Sequence, residues 1–206
     1  MPLKLPLPII YAITSGATTA HTTPEDPEFS NILRLVEGCV AAQISLVQIR
    51  EKSLTVRALY ELVTQAAAIT RGSETRLLVN DRFDIARVAG AAGVHLTTRS
   101  LRANVVRPLC GDNFLIGVST HSVETARQAQ ADGADFVVFG PVFETPSKRE
   151  FGEPQGLERL REVASTLKGF PIVAIGGIDL DNAEDCFRAG ASGIAAIRLF
   201  TNIDLQ

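Results

Sequence analysis

A chain of 206 residues, 46% apolar and 21% charged, has the composition of a globular protein with a large core, and its length suits one domain. The formal net charge of −3 argues against the clustered basic surface of a nucleic-acid binder. No apolar run approaches the ~20 residues that cross a bilayer. The stretch 1–10, with three prolines, one lysine and no small-residue cleavage site after it, is a poor secretion signal.

Short apolar runs of β type recur along the whole chain, at 9–14, 45–50, 76–80, 93–96, 114–119, 135–140, 171–176 and 193–197. They are continuous rather than alternating, as in a parallel sheet covered by helices. Amphipathic stretches lie between them. Phe29, Ile32, Leu33, Val36 and Val40 share one helical face, as do Val56, Leu59, Tyr60, Val63 and Ala67, and later Leu157, Leu160, Ala164 and Leu167. Gly72 and Gly169 stand where helices should end. Small-residue corners at 88–94, 131–136 and 188–194 are variants of one helix-to-strand turn, which indicates a repeating βα unit. Eight such units favour a closed α/β barrel, a (β/α)₈ TIM barrel forming a single domain over 1–206. Only 198–206 follow the eighth strand, so the last helix is expected to be short or missing.

In such a barrel, functional residues gather where strands end. Strand alternation puts Gln48, Arg50 and Lys52 on one face, an amide and two cations suited to a diphosphate. The same cations would equally serve surface pairing with Glu51. Asn80 ends the third run and suits a polar ring, whereas Asp81 suits either Mg²⁺ or a helix cap. The segment 140–156 is long enough for a lid, and Thr145, Ser147 and Lys148 would let it close over phosphate oxygens. Gly176 and Gly177 after strand seven, with Ile197 and Arg198 after strand eight, occupy the recurrent phosphate position of barrels. His121, just beyond Ser119, suits proton transfer or a structural role, and His95 reads as a satisfied core residue. Cys39, Cys110 and Cys186 lack CxxC spacing and read as small apolar residues of a reducing compartment, so a cytoplasmic location is expected.

Taken in order, these motifs resemble the thiamine phosphate synthase and TenI family. The resemblance implies a (β/α)₈ barrel enzyme that joins hydroxymethylpyrimidine diphosphate to a thiazole phosphate and releases pyrophosphate with Mg²⁺ present. It implies pyrimidine and pyrophosphate binding by Gln48, Arg50, Lys52 and Asn80, and Mg²⁺ ligation by Asp81. It implies a lid of Thr145, Ser147 and Lys148, with Lys148 stabilising the leaving group, a strand-five serine at Ser119, and a thiazole phosphate site at Gly176, Gly177 and Ile197. The chain departs from the pattern at Ser100, where a second carboxylate ligand is expected, so Mg²⁺ binding should be weakened or lost. Arg99 adds a cation beside it, and Arg198 replaces a serine. The lid sequence 139–145 and His121 are similar to the TenI branch, whose thiazole tautomerases work without metal. Tautomerase chemistry through His121 and a silent phosphate-ligand-binding homologue are therefore the alternatives. The partners implied are small phosphorylated molecules, with no nucleic acid and no membrane, and a homo-oligomer is compatible with the sequence.

Overall fold

The computed structural model describes residues 5–144 and 153–200. Eight strands follow one another: β1 (Ile9–Ile13), β2 (Leu46–Ile49), β3 (Arg76–Asn80), β4 (Gly93–Leu96), β5 (Leu115–Thr120), β6 (Phe136–Phe139), β7 (Ile172–Ile175) and β8 (Gly193–Ala196). The helices between them are α1 (Pro27–Ala41), α2 (Val56–Thr70), α3 (Phe83–Val88), α4 (Ala103–Cys110), α5 (Val123–Ala131), α6 (Gly156–Thr166) and α7 (Ala183–Arg188). The strands form a closed barrel in sequence order, and the registered neighbours are parallel. Every residue of β2, β4, β6 and β8 is buried, which is why these runs are apolar without alternation apart from Gln48 in β2 and His95 in β4. Closure between β8 and β1 is tight: a Cβ at Gly193 would stand 2.2 Å from the Ile9 carbonyl oxygen. After β8 the described chain makes a 3₁₀ turn, Arg198–Phe200.

Among the described residues, one compact unit combines Tyr11–His95 with 197–200, and another combines Leu96–Ala196 with 5–10. In the first, β1 to β4 bring their C-terminal ends to one side, because each pairs in parallel with the next. In the second, β5 to β8 do the same.

Three helix faces differ from the sequence expectation. On α2, Val56 and Tyr60 are 56% and 40% exposed, and the buried face is Ala58, Leu59, Leu62, Val63, Ala66 and Ala67. The alanines let this helix approach its neighbours closely, so the contact face turns toward them and away from the larger Val and Tyr. On α1, Leu33 and Val40 are only half-buried, and the small Cys39 is fully enclosed. On α6, Leu160, Val163 and Leu167 are buried, with Leu157 and Ala164 half-buried.

The repeated corner is real and has a fixed hydrogen-bond pattern. At Gly90, Gly133 and Gly190 the chain takes φ of +79°, +88° and +98°. The next residue then donates five residues back, Ala91 to Ala86, Ala134 to Ala129 and Ala191 to Cys186. This satisfies carbonyls orphaned at each helix end. A fourth copy follows α1, where Ile44 donates to Cys39 and Gln43, not glycine, holds φ +54°.

Candidate functional site

The C-terminal ends of β1 to β4 carry a buried polar chain. Alternation along each strand turns Tyr11, Gln48, Asn80 and His95 inward together. The Tyr11 hydroxyl donates to Gln48 Oε1 at 3.2 Å, and Gln48 Nε2 donates to Asn80 Oδ1 at 3.2 Å. Tyr11 has one hydroxyl proton and gives it to Gln48. Its contact with His95 Nδ1 at 3.3 Å therefore has the imidazole as donor. The chain thus runs one way, from His95 to Asn80. It ends on the Asn80 oxygen, and the Asn80 amide NH₂ remains to donate to a ligand. His95 is held neutral: burial, and secondly the charge of Arg50, push its pKa down to about 4.

Arg50 and Glu51 follow β2 directly. Arg50 is half-buried, and its main-chain N–H donates to Thr14 Oγ1 at 2.8 Å. Glu51 is 3% exposed, and its two oxygens accept from Thr14, Gly16 and Thr18 of the β1–α1 loop. It is an internal anchor, not a surface counter-ion as the sequence allowed. Lys52 lies in a turn and is exposed. Because β2 stops at Ile49, strand alternation does not carry Arg50 or Lys52 onto the face of Gln48, and the strand itself does not set the expected shared face.

Asp81 takes φ +63° immediately after β3 and is exposed. It is not a helix cap: the residue preceding α3 is Arg82, and no side-chain cap bond is made there. The Arg82 guanidinium turns to Asp84 at 2.6 Å, holding that carboxyl below its ordinary value. Among the described residues no group of three or more His, Cys, Asp or Glu could hold a metal ion.

In the second unit, the turn after β4 closes on itself. Ser100 Oγ accepts from the Thr97 N–H at 2.7 Å and lies 3.0 Å from Thr97 Oγ1, so its hydroxyl serves the turn. Arg99 is exposed beside it. Ser119 lies near the end of β5, half-buried and registered with Val138. His121 Nδ1 lies 2.5 Å from the Gly140 carbonyl oxygen. A carbonyl only accepts, so Nδ1 carries the hydrogen, and the imidazole ties the β5 and β6 loops together.

The loop after β6 is stitched to the loop after β7. Val142 donates to the Ile175 carbonyl at 2.8 Å and Phe143 to that of Gly176 at 2.9 Å, while Asn182 Nδ2 donates to the Gly177 carbonyl at 2.8 Å. Gly176 and Gly177 have φ of +102° and +66°. A Cβ on Gly177 would stand 2.7 Å from the Glu144 oxygen, so only glycine fits against that loop. The bonds that pin both glycines use their carbonyls. Ile197 is half-buried after β8, and Arg198 is exposed in the 3₁₀ turn. Thr145, Ser147 and Lys148 lie outside the described residues.

Tyr11, Thr14 and Glu51 are the site residues that sequence reasoning missed. Their partners lie 33 to 84 positions away in the chain. The only advance signal was the parity of Tyr11, which under alternation faces the same side as Gln48 once β1 and β2 pair.

Comparison with known proteins gives a consistent result. The family described as thiamine monophosphate synthase matches residues 19–200. A Geobacter sulfurreducens protein is 45% identical over 167 residues, covering 81% of this chain and 78% of its own. A thiamine-phosphate synthase of Moorella thermoacetica is 43% identical, covering 80% of this chain and 78% of its own. The solved thiamine phosphate pyrophosphorylase of Pyrococcus furiosus superposes with a TM-score of 0.74 at 32% identity, over 92% of this chain and 86% of that one.

Proposed function

The chain belongs to the thiamine monophosphate synthase family, and on that premise we propose that it joins hydroxymethylpyrimidine diphosphate to thiazole phosphate, giving thiamine phosphate and pyrophosphate. The observation that supports this reading is the one-way chain from Tyr11 through Gln48 to Asn80, which ends on the Asn80 oxygen and leaves its amide NH₂ to serve a polar ring. Half-buried Arg50 stands two residues beyond Gln48 as an anion partner.

In the reaction the thiazole nitrogen lone pair forms a bond to the pyrimidine methylene carbon. The carbon–oxygen bond to the diphosphate breaks, and pyrophosphate leaves with that electron pair. Asn80 and Gln48 hold and orient the pyrimidine, while Arg50 and Lys52 bind the diphosphate and offset the charge that builds on it. Gly176, Gly177, Ile197 and Arg198 bind the thiazole phosphate and so aim the nitrogen. By the family resemblance Lys148 is assigned to the leaving group, Thr145 and Ser147 to the lid over phosphate oxygens, and Ser119 to the family's strand-five serine.

The donor chemistry at Asp81 fits Mg²⁺: an exposed carboxylate with no hydrogen bond among the described residues is a hard oxygen ligand. Mg²⁺ keeps several waters and takes substrate phosphate oxygens, so one protein carboxylate suffices, and the metal would neutralise diphosphate charge when bound. Ser100, committed to the Thr97 turn, adds no second carboxylate, so the affinity for metal should rest on the substrate's diphosphate.

The expected compartment is the cytoplasm. No disulfide joins Cys39, Cys110 and Cys186, and Cys39 and Cys186 are buried. Among the described residues no helix is long and apolar enough to cross a membrane.

The test is direct. Purified protein given both substrates and Mg²⁺ should make thiamine phosphate, and Asp81→Asn should raise the Mg²⁺ concentration needed for half-maximal rate. No product above a protein-free blank would remove the synthase reading. Metal-independent isomerisation of a thiazole phosphate carboxylate, lost in His121→Ala, would replace it with the tautomerase reading.

A further inference from the structure

We propose that Glu51 is a positioning residue, which sets the Arg50 guanidinium for the diphosphate by fastening the β1–α1 loop around it. The inference rests on the reading above, in which Arg50 receives that anion.

Glu51 is a buried carboxylate used in full. Oε1 accepts from the Thr14 hydroxyl at 2.5 Å and the Gly16 N–H at 3.0 Å, and Oε2 accepts from the Thr18 hydroxyl at 2.7 Å and the Thr18 N–H at 3.2 Å. Four donors compensate a charge that would otherwise be expelled from so enclosed a position. Arg50 is half-buried, whereas Glu51 is enclosed and engaged on both oxygens by the β1–α1 loop. Among the described residues no ion pair joins them. The cation therefore keeps its charge for a ligand, and the carboxylate acts on it through the loop.

The route is visible at two points. Thr14 passes its hydroxyl proton to Glu51 and accepts the main-chain N–H of Arg50 at 2.8 Å, which ties the Arg50 backbone to the same anchor. Gly16 takes φ +77°, and a Cβ there would lie 3.3 Å from the Arg50 carbonyl oxygen and 3.6 Å from Nη1. The loop backbone thus runs against both the main chain and the guanidinium of Arg50, restricting the rotamers open to it. A preset guanidinium loses less entropy on binding a diphosphate than a free one does.

The experiment is a double-mutant cycle on the full chain, read by calorimetric binding of inorganic pyrophosphate with Mg²⁺ and by separate KM values for the two substrates. Glu51→Gln should weaken pyrophosphate binding and raise the KM for the diphosphate substrate about tenfold, with the KM for thiazole phosphate within about twofold. In an Arg50→Ala background the same change should add less than about twofold. Thr18→Val, which removes one donor to Glu51 Oε2, should reproduce the pattern at smaller size, and it decides the matter alone if Glu51→Gln does not fold. Equal losses in both backgrounds, or equal losses for both substrates, would show Glu51 to be merely structural and overturn the proposal. If the wild-type chain binds pyrophosphate with this coupling yet makes no thiamine phosphate, the synthase reading falls and the Glu51 role stands. Full turnover without the coupling gives the reverse.

Discussion

His95 Nδ1 lies 3.3 Å from the Tyr11 hydroxyl, with the two rings tilted and their centroids 5.9 Å apart in the strand layer. Burial, with Arg50 adding its charge, lowers the His95 pKa from 6.5 to about 4. The unfolded chain then takes up a proton on this residue below pH ~6.5 that the folded chain refuses until about pH 4. The His95 contribution is fully present above that window and is lost as pH falls through it, on the order of 3 kcal/mol by pH 4. Urea unfolding of wild type and His95→Gln at pH 7.5, 6, 5 and 4.5 measures this. The wild type should lose stability faster than the variant over this range; parallel curves would refute the assignment.

The Tyr11 hydroxyl sets the direction of the chain that ends at Asn80. Tyr11→Phe removes the donor to Gln48 Oε1 and the acceptor for His95, and the Gln48 amide is then free to turn over. Stability should drop by about 1–3 kcal/mol from the buried groups left unpaired. The KM for the pyrimidine diphosphate should rise about tenfold, while that for thiazole phosphate stays within about twofold. Steady-state kinetics in each substrate decides it: equal changes in both KM values would mean that Tyr11 supports only the fold.

All eight strands were legible in the sequence to within one residue at each end, because residues enclosed on both faces are mostly apolar and the run itself marks the strand. Helix faces were less legible. Val56 and Tyr60 carry as much apolar bulk as Leu62, and only the tertiary approach of Ala58 and Ala66 shows which side turns inward. At the candidate site, Gln48, Arg50 and Asn80 stand out in the sequence because polar residues ending an apolar run are conspicuous, and the structure joins Gln48 to Asn80. Tyr11 could not, since an aromatic residue within a strand is ordinary core. The sequence left a surface pairing of Glu51 open, because the donors that enclose it come from a loop more than 30 positions earlier.

The corner after α1 makes the same turn as three others but builds it with Gln43 at φ +54°. A side chain in this conformation is strained by ~1–2 kcal/mol, partly offset because it stiffens the unfolded chain. Gln43→Gly should therefore stabilise the protein by up to ~1 kcal/mol. The converse substitutions separate strain from collision. A Cβ at Gly90 meets nothing within 4 Å, whereas one at Gly190 stands 2.7 Å from the Ala164 Cβ. Gly90→Ala should lose about 1–2 kcal/mol from backbone strain, and Gly190→Ala should lose more. Denaturant midpoints at unchanged m-values rank the three, and an order other than Gln43→Gly, Gly90→Ala, Gly190→Ala would contradict the argument.

Arg107 makes the opposite case, a conspicuous cation that should matter for stability and not for turnover. It lies in the last turn of α4 and reaches the chain just before β5 and β6 begin. Nη1 donates to the carbonyls of Gly111 at 3.0 Å and Phe114 at 2.6 Å. Nε and Nη2 donate to that of Gly133 at 3.1 and 2.9 Å, and Nη2 also meets Asp135 Oδ2 at 2.6 Å. The same Asp135 oxygen accepts the Ile116 N–H at 2.7 Å, so one guanidinium and one carboxylate fix the starts of two adjacent strands. These are the N-terminal ends of the strands whose C-terminal ends carry Ser119 and Gly140. Arg107→Ala leaves a partly buried carboxylate and three carbonyls without this donor and should cost about 2–4 kcal/mol. Arg107→Lys should recover less than half of that, because a single ammonium cannot span the fork. Both variants should keep the wild-type kcat and both KM values below their unfolding temperatures. A selective rise in either KM would show that strain at the strand starts reaches their far ends.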